Sequence, residues 1–312
     1  MTEPCDLSAL DARFLIGTKK LSPTELLESC IARIEVIDPA VNAIPERDFD
    51  RARAAAKHAD DRVVHGADLP PLHGLPVGIK DLEDAEGLRT THGSPIFRDH
   101  VATADQGAVG RLRAAGAIVV GKTNVPEFGA GANTRNTVYG ATGNPFDPSK
   151  SAAGSSGGSA VALATGMVPL ATGSDTGGSL RNPAAFCGIV GFRPSPGLVG
   201  TGRRPNAWNP LPVLGPMARN VADCALLLSA MAGDDKLDAL ATTIHGRQVR
   251  HGWEFSPLPR LDLSRLRVAI TPDFGFAPTE CHIAEVFTEK TQSFRHVFGR
   301  ALNETPDCTG DR

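Results

Sequence analysis

The sequence predicts an α/β fold, with a largely buried β-sheet covered by helices on both faces. Three observations carry it. Short runs that are apolar throughout, Pro76–Ile79, Ala117–Val120 and Ile189–Phe192, recur along the chain. Segments of helical periodicity separate them. Strands that lack polar alternation belong to sheets buried on both faces, which need helices as covers.

Taken in order, Ser22-Pro23-Thr24-Glu25 is a capping box with proline at the first helical position. Leu26, Leu27, Cys30, Ile31 and Ile34 follow at helical spacing, so a helix is expected over about Pro23–Val36. An alanine-rich helix is expected from Asp50 to Val63, ending near Gly66. Pro76–Ile79 is a strand that delivers Lys80. Ala108–Ala115 is helical, Gly116 ends it, and the Ala117–Val120 strand follows. Helices are then expected over Ser159–Thr165 and Asn220–Met231, with the Ile189–Phe192 strand between them. Thr242–Pro259 has weak periodicity and reads as a loop excursion. Arg267–Thr271 restarts a strand, and Ile283–Ala301 a helix.

The 312 residues are 41% hydrophobic and 21% charged, enough to bury a sizeable core and too apolar for a disordered chain. A net charge of -3, with no basic cluster larger than Arg203-Arg204, gives no reason to expect a nucleic-acid or anionic-membrane partner. The six cysteines, Cys5, Cys30, Cys187, Cys224, Cys281 and Cys308, are widely spread without metal-ligand spacing. They read as free thiols in a reducing cytoplasm. Met1–Ser8 has neither a basic nor an apolar leader region. Ser151–Ser174 is long and uncharged, but its glycines, serines and Pro169 mark a buried segment rather than a membrane span.

Gly116-Ala-Ile-Val-Val-Gly121-Lys122-Thr123 matches the phosphate-loop pattern letter for letter. That pattern needs a flexible loop between its glycines and a helix after the lysine. Here Ala-Ile-Val-Val forms a strand and Asn124-Val125-Pro126 follows, so nucleotide binding is rejected.

Three other segments hold residues that packing does not demand. In Gly78-Ile79-Lys80-Asp81, a lysine ends an apolar strand. It is either a surface ion pair with Asp81 or Asp84, the reading the tetrapeptide alone favours, or a desolvated proton acceptor. Gly154-Ser155-Ser156-Gly157-Gly158-Ser159 opens a helix, where serines can serve simply as caps. Gly173–Arg181 is a glycine-rich loop bracketed by Asp175 and Arg181. It is either a tight turn or a set of N–H groups aimed at one spot beside Ser179. His73 and His92 flank the lysine segment and read as structural or surface residues.

Together, HGLPVGIKD (73–81), AGAIVVGKTNVPEF (115–128), GSSGGSA (154–160), GSDTGGSLRNPAAFCGIVGFRPS (173–195) and GPMARNVADCA (215–225) resemble the amidase-signature family. The resemblance runs from about Ser22 to Gly233 and more loosely to Pro278. It implies a mixed central sheet and hydrolysis of a small-molecule amide, with no cofactor or metal. It assigns Ser179 as nucleophile, Ser155 as bridging serine after a cis peptide, and Lys80 as base. It further implies an oxyanion hole of the Thr176, Gly177, Gly178 and Ser179 N–H groups, with Asp175 and Arg181 holding that loop and Ser156 assisting. Residues 1–70 become covering helices, 71–233 the catalytic core and 234–312 the start of a C-terminal part, all in one domain.

The resemblance also frames departures. Ala153-Gly154 stands where the family usually has two glycines. Family members continue beyond residue 312, so the Arg267–Thr271 strand is expected to lack a neighbour. The following helix would then bare Ile283, Val286, Phe287, Phe294 and Val297. Two alternatives follow, a truncated non-catalytic relative and the amidase component of a glutamine-dependent tRNA transamidation complex. Trp208, in the 201–212 loop, either lines an acyl site or packs. Homo-oligomerisation is left open.

Overall fold

The computed structural model describes residues 3–66, 68–202, 206–233, 235–241, 243–244, 247–248 and 255–307. Arg203-Arg204, Cys308 and half of the 242–259 excursion lie outside them. Contacts divide the chain into two compact units, Met1–Leu258 and Pro259–Arg312.

The first unit opens with a helix that the sequence patterns do not predict, α1 (Ala9–Gly17), capped by the Ser8 side chain, which accepts from the Asp11 N–H. In α2 (Pro23–Val41) both arms of the capping box form, at 3.0 and 2.8 Å. This helix outruns the expected Val36 and carries Pro39 within it. Its end is fixed by the buried Asp38 carboxylate, which accepts from the Ala43 N–H at 2.6 Å and the Ile44 N–H at 3.2 Å. Asn42 there adopts left-handed φ 54°, which asparagine tolerates better than most residues. Asp48 caps α3 (Phe49–Val64).

The main sheet has six strands: β1 (Glu46–Arg47), β2 (Pro76–Lys80), β3 (Ile118–Thr123), β6 (Leu170–Asp175), β7 (Val190–Gly191) and β8 (Val213–Ala218). Their order is β1-β3-β2-β6-β8-β7. The inner strands β3, β2 and β6 are parallel, while β1, β8 and β7 pair antiparallel with their neighbours, so the sheet is mixed. Strands β4 (Arg135–Asn136) and β5 (Gly140–Ala141) form a small separate hairpin. Strands β9 (Thr243–Ile244) and β10 (Arg247–Gln248) form another, where a plain loop was expected.

Successive side chains of a strand point to opposite faces, and the apolar residues divide accordingly. Val77, Ile79 and Val119 join one core with α1, α4 (Gly107–Ala114) and α7 (Val221–Met231). Ile118 and Val120 join the other with α2, α3, α5 (Gly157–Ala164) and α6 (Arg181–Cys187). Asp223, near the start of α7, is fully buried, and its carboxylate accepts from the Ala9 N–H at 2.9 Å and the Leu10 N–H at 3.0 Å. One carboxylate thus fixes the N-terminus of α1 against α7, from opposite ends of the sequence.

The phosphate-loop look-alike lies inside β3, which runs straight through Gly121-Lys122-Thr123. In the second unit, the expected unpaired strand is not alone. β11 (Arg267–Ile270) pairs in parallel with β12 (Arg300–Asn303). The expected helix to Ala301 stops earlier, as α8 (Cys281–Phe294) and a 3-10 turn. At Gly299 a side chain would collide with the Ser264 carbonyl, so glycine permits the close approach that leads into β12. Ile283, Val286, Phe294 and Val297 are exposed as expected, and Phe287 is partly covered.

Candidate active site

Lys80 is the last residue of β2, and its side chain is fully buried. Its Nζ lies 2.9 Å from Ser155 Oγ, 2.8 Å from Ser156 Oγ and 2.8 Å from Ser174 Oγ. The surface ion pair entertained for it does not form. Asp81 instead faces Lys122 at 3.4 Å. Burial pushes the Lys80 ammonium down, the charges of Glu83 and Asp175 resist, and the value settles at about 7.

Ser155 and Ser156 precede α5, whose first residues Gly157 and Gly158 run hard against neighbouring backbone and side chains. The Gly154–Ser155 peptide bond is cis. Ala153 beside it has φ 57°, a left-handed conformation in which alanine is strained by about 1 kcal/mol. The Ser156 N–H donates to the Ser179 carbonyl at 3.2 Å, which joins the paired serines to the glycine loop.

That loop wraps the carboxylate of Asp175 at the end of β6. Burial alone would raise this carboxyl, but the Arg181 guanidinium and the Gly178 and Leu180 N–H groups outweigh it and hold it at about 2. Arg181 binds Asp175 through two nitrogens at 2.9 and 3.0 Å, and Arg193 adds a contact at 3.0 Å. This corrects one oxyanion assignment. The Gly178 N–H donates to Asp175 Oδ1 at 2.8 Å and so faces inward. The Thr176, Gly177 and Ser179 N–H groups have no acceptor among the described residues. Ser179 itself is half-buried, whereas Ser155 and Ser156 are shut in.

A cleft of about 450 Å³ opens on this loop. Leu82, Phe128, Val213 and Leu214 supply apolar walls, and Gln106, Ser174, Thr176 and Asn209 supply neutral polar ones. Trp208 is exposed and does not line it. His73 is buried against the Ala59 carbonyl at 3.0 Å, and His92 packs edge-on to Phe97, so both stand in structural settings.

Three participants are not evident from the sequence motifs. Ser174 shares a strand face with Thr172 by alternation, a period-2 signal that could have found it. Arg193 lies within the GFRPS segment, but only folding brings it to Asp175. Glu83, fully buried, has no local signal at all.

Fold and site together define an enzyme-like α/β scaffold with a buried lysine among serines. Residues 25–296 match the Amidase family profile, and the chain belongs to that family. It is 36% identical over 300 residues to an acylamidase of Rhodococcus erythropolis, covering 96% of this chain and 62% of that one. It is 43% identical over 242 residues to a glutamyl-tRNA(Gln) amidotransferase component of Roseiflexus castenholzii, covering 78% and 49%. A bacterial aryl acylamidase of the amidase signature family superposes with a TM-score of 0.87 at 31% identity, covering 96% of this chain and 61% of that one. The chain thus spans about half to three-fifths of the length of these relatives. Among the described residues no helix is long and apolar enough to cross a membrane.

Proposed function

We propose that the protein hydrolyses a carboxylic amide to a carboxylate and an amine or ammonia, through an acyl-enzyme on Ser179. The carrying observation is the 2.9 Å contact between Lys80 Nζ and Ser155 Oγ, two buried side chains beside the cleft. A serine hydroxyl attacks only when a base removes its proton. Neutral Lys80 takes that proton through Ser155 as Ser179 Oγ adds to the carbonyl. The tetrahedral oxyanion rests on the Thr176, Gly177 and Ser179 N–H groups. Lys80 then returns the proton through Ser155 to the leaving nitrogen, the C–N bond breaks, and water clears the ester by the same relay.

Among the described residues the lining is uncharged, which favours an uncharged amide, such as an anilide. Similarity to the amidotransferase component favours a second reading, ammonia release from glutamine within a transamidating complex. Glutamine carries an ammonium and a carboxylate, for which the described lining offers no charged partner. Four buried free thiols suit a reducing compartment, which supports a cytoplasmic setting.

A fluorophosphonate probe, followed by peptide mass spectrometry, tests the nucleophile, and turnover of an anilide against glutamine tests the substrate. Adduct on Ser179 with anilide turnover supports the reading. Absence of both adduct and turnover would point to a non-catalytic relative.

A further inference from the structure

Five ionisable side chains lie buried beneath the paired serines: Lys80, Asp81, Glu83, Lys122 and Asp175. Three have opposite charges at hand. Asp175 faces Arg181 and Arg193, and Asp81 faces Lys122. Among the described residues, Lys80 and Glu83 have no ion-pair partner. Glu83 Oε1 accepts from Thr172 Oγ1 at 2.9 Å, and that same threonine oxygen accepts from the Lys80 backbone N–H at 2.9 Å. The Glu83 N–H donates to the Lys80 carbonyl at 3.0 Å. Glu83 Oε2 is buried with no hydrogen-bond partner. An ionised carboxylate left in that state is costly, and a protonated one costs far less.

We propose that Glu83 is the positioning residue that sets the charge on Lys80: the two groups share one proton, and Lys80 becomes a neutral base as Glu83 takes the protonated form. The inference rests on Lys80 being the base. With Asp81 matched by Lys122 and Asp175 by its arginines, a neutral Lys80 beside an ionised Glu83 leaves one unbalanced buried negative charge. A protonated Glu83 removes it. Burial drives the two groups toward each other, Lys80 down and Glu83 up, both to about 7. The charges facing Glu83 are Lys80 and Lys122, and those facing Lys122 are Asp81, Glu83 and Asp84. No covalent step is added. The effect is electrostatic.

The test compares pH profiles of kcat/KM for anilide hydrolysis in the parent, Glu83→Gln and Glu83→Asp, with Lys80→Met as control. Glu83→Gln keeps an acceptor for Thr172 and removes the titrating charge, so Lys80 should lose its proton more easily. The acidic limb should move down by about one pH unit. Glu83→Asp should leave the limb near its parental position. Coincident limbs in parent and Glu83→Gln, with both proteins folded by thermal melt, would overturn the inference while leaving Lys80 as base. An active Lys80→Met would overturn the base assignment and this inference with it. Carboxyl ¹³C NMR supplies a readout independent of turnover. Glu83 should titrate near neutrality in the parent and at higher pH in Lys80→Met, and a Glu83 ionised throughout the neutral range would also overturn the proposal.

Discussion

The Ser156 N–H donates to the carbonyl of Ser179 at 3.2 Å, so a main-chain bond sets the spacing between the segment of the proposed bridging serine and the proposed nucleophile. The reacting side chains can be altered without disturbing that bond. Scaffold and chemistry are therefore separable by mutation.

Ser179→Ala and Lys80→Met should each lower kcat by about a thousandfold or more while melting as cooperatively as the parent. Ser155→Ala should lose about a hundredfold to a thousandfold, since it interrupts the proton path but leaves the base in place. Near-parental turnover in a folded Ser179→Ala would rule out the acyl-enzyme.

Activity should rise with pH through about 7, as the Lys80 ammonium loses its proton. Stability follows by linkage. The folded Lys80 value lies below its ordinary 10.5, so between about 7 and 10.5 the unfolded chain binds the extra proton. The Lys80 contribution to stability therefore increases with pH across that window. Glu83 works oppositely, because its folded value lies above 4.5 and its contribution declines from there to about 7. Urea denaturation of parent and Lys80→Met at about pH 6 and about pH 9 checks the sign. Parent stability relative to the variant should grow toward the higher pH, and parallel behaviour would contradict a depressed lysine.

Asp175→Ala removes the acceptor for Arg181, Arg193 and two loop N–H groups. The expected cost is about 2 kcal/mol, below that of a fully enclosed pair because Arg181 remains largely solvated. Turnover should fall further than stability, since the loop that presents Ser179 loses its anchor. Denaturant midpoints alongside kcat separate the two effects.

Neighbouring glycines should behave differently. At Gly178, φ is 122° and a Cβ would sit 2.7 Å from Asn182 Nδ2, so Gly178→Ala should cost about 2 kcal/mol or more. At Gly177 nothing lies within 4 Å of an added Cβ, so Gly177→Ala should melt like the parent. Equal losses at both positions would contradict this difference in backbone strain.

The placement of the three segments was legible locally: Lys80 closes an apolar strand, Ser155 and Ser156 open a helix, and Ser179 follows paired glycines. Their roles were not, because each string alone also reads as a surface ion pair, a helix cap or a tight turn, and only their ordered combination resembles the family. Less of the sheet was legible. β6, Leu-Ala-Thr-Gly-Ser-Asp, and β8, Val-Leu-Gly-Pro-Met-Ala, are interior strands of the sheet yet carry glycine and proline, which single-sequence propensities count against strands. They are strands because their neighbours supply ladders and burial on both sides.

By itself the sequence determined the α/β class, the helix starts at Ser22 and Asn220, and the three segments that bear the serines and the lysine. These depend on hydrogen bonds and periodicities within a few residues. Only the tertiary structure decided which charges are matched. It set Asp81 against Lys122 and Asp175 against Arg193, turned the Gly178 N–H inward, and left Lys80 with Glu83 in the interior. Burial and pairing are set by residues distant in sequence, and in a medium of low polarisability they decide whether a lysine is an ammonium or a base.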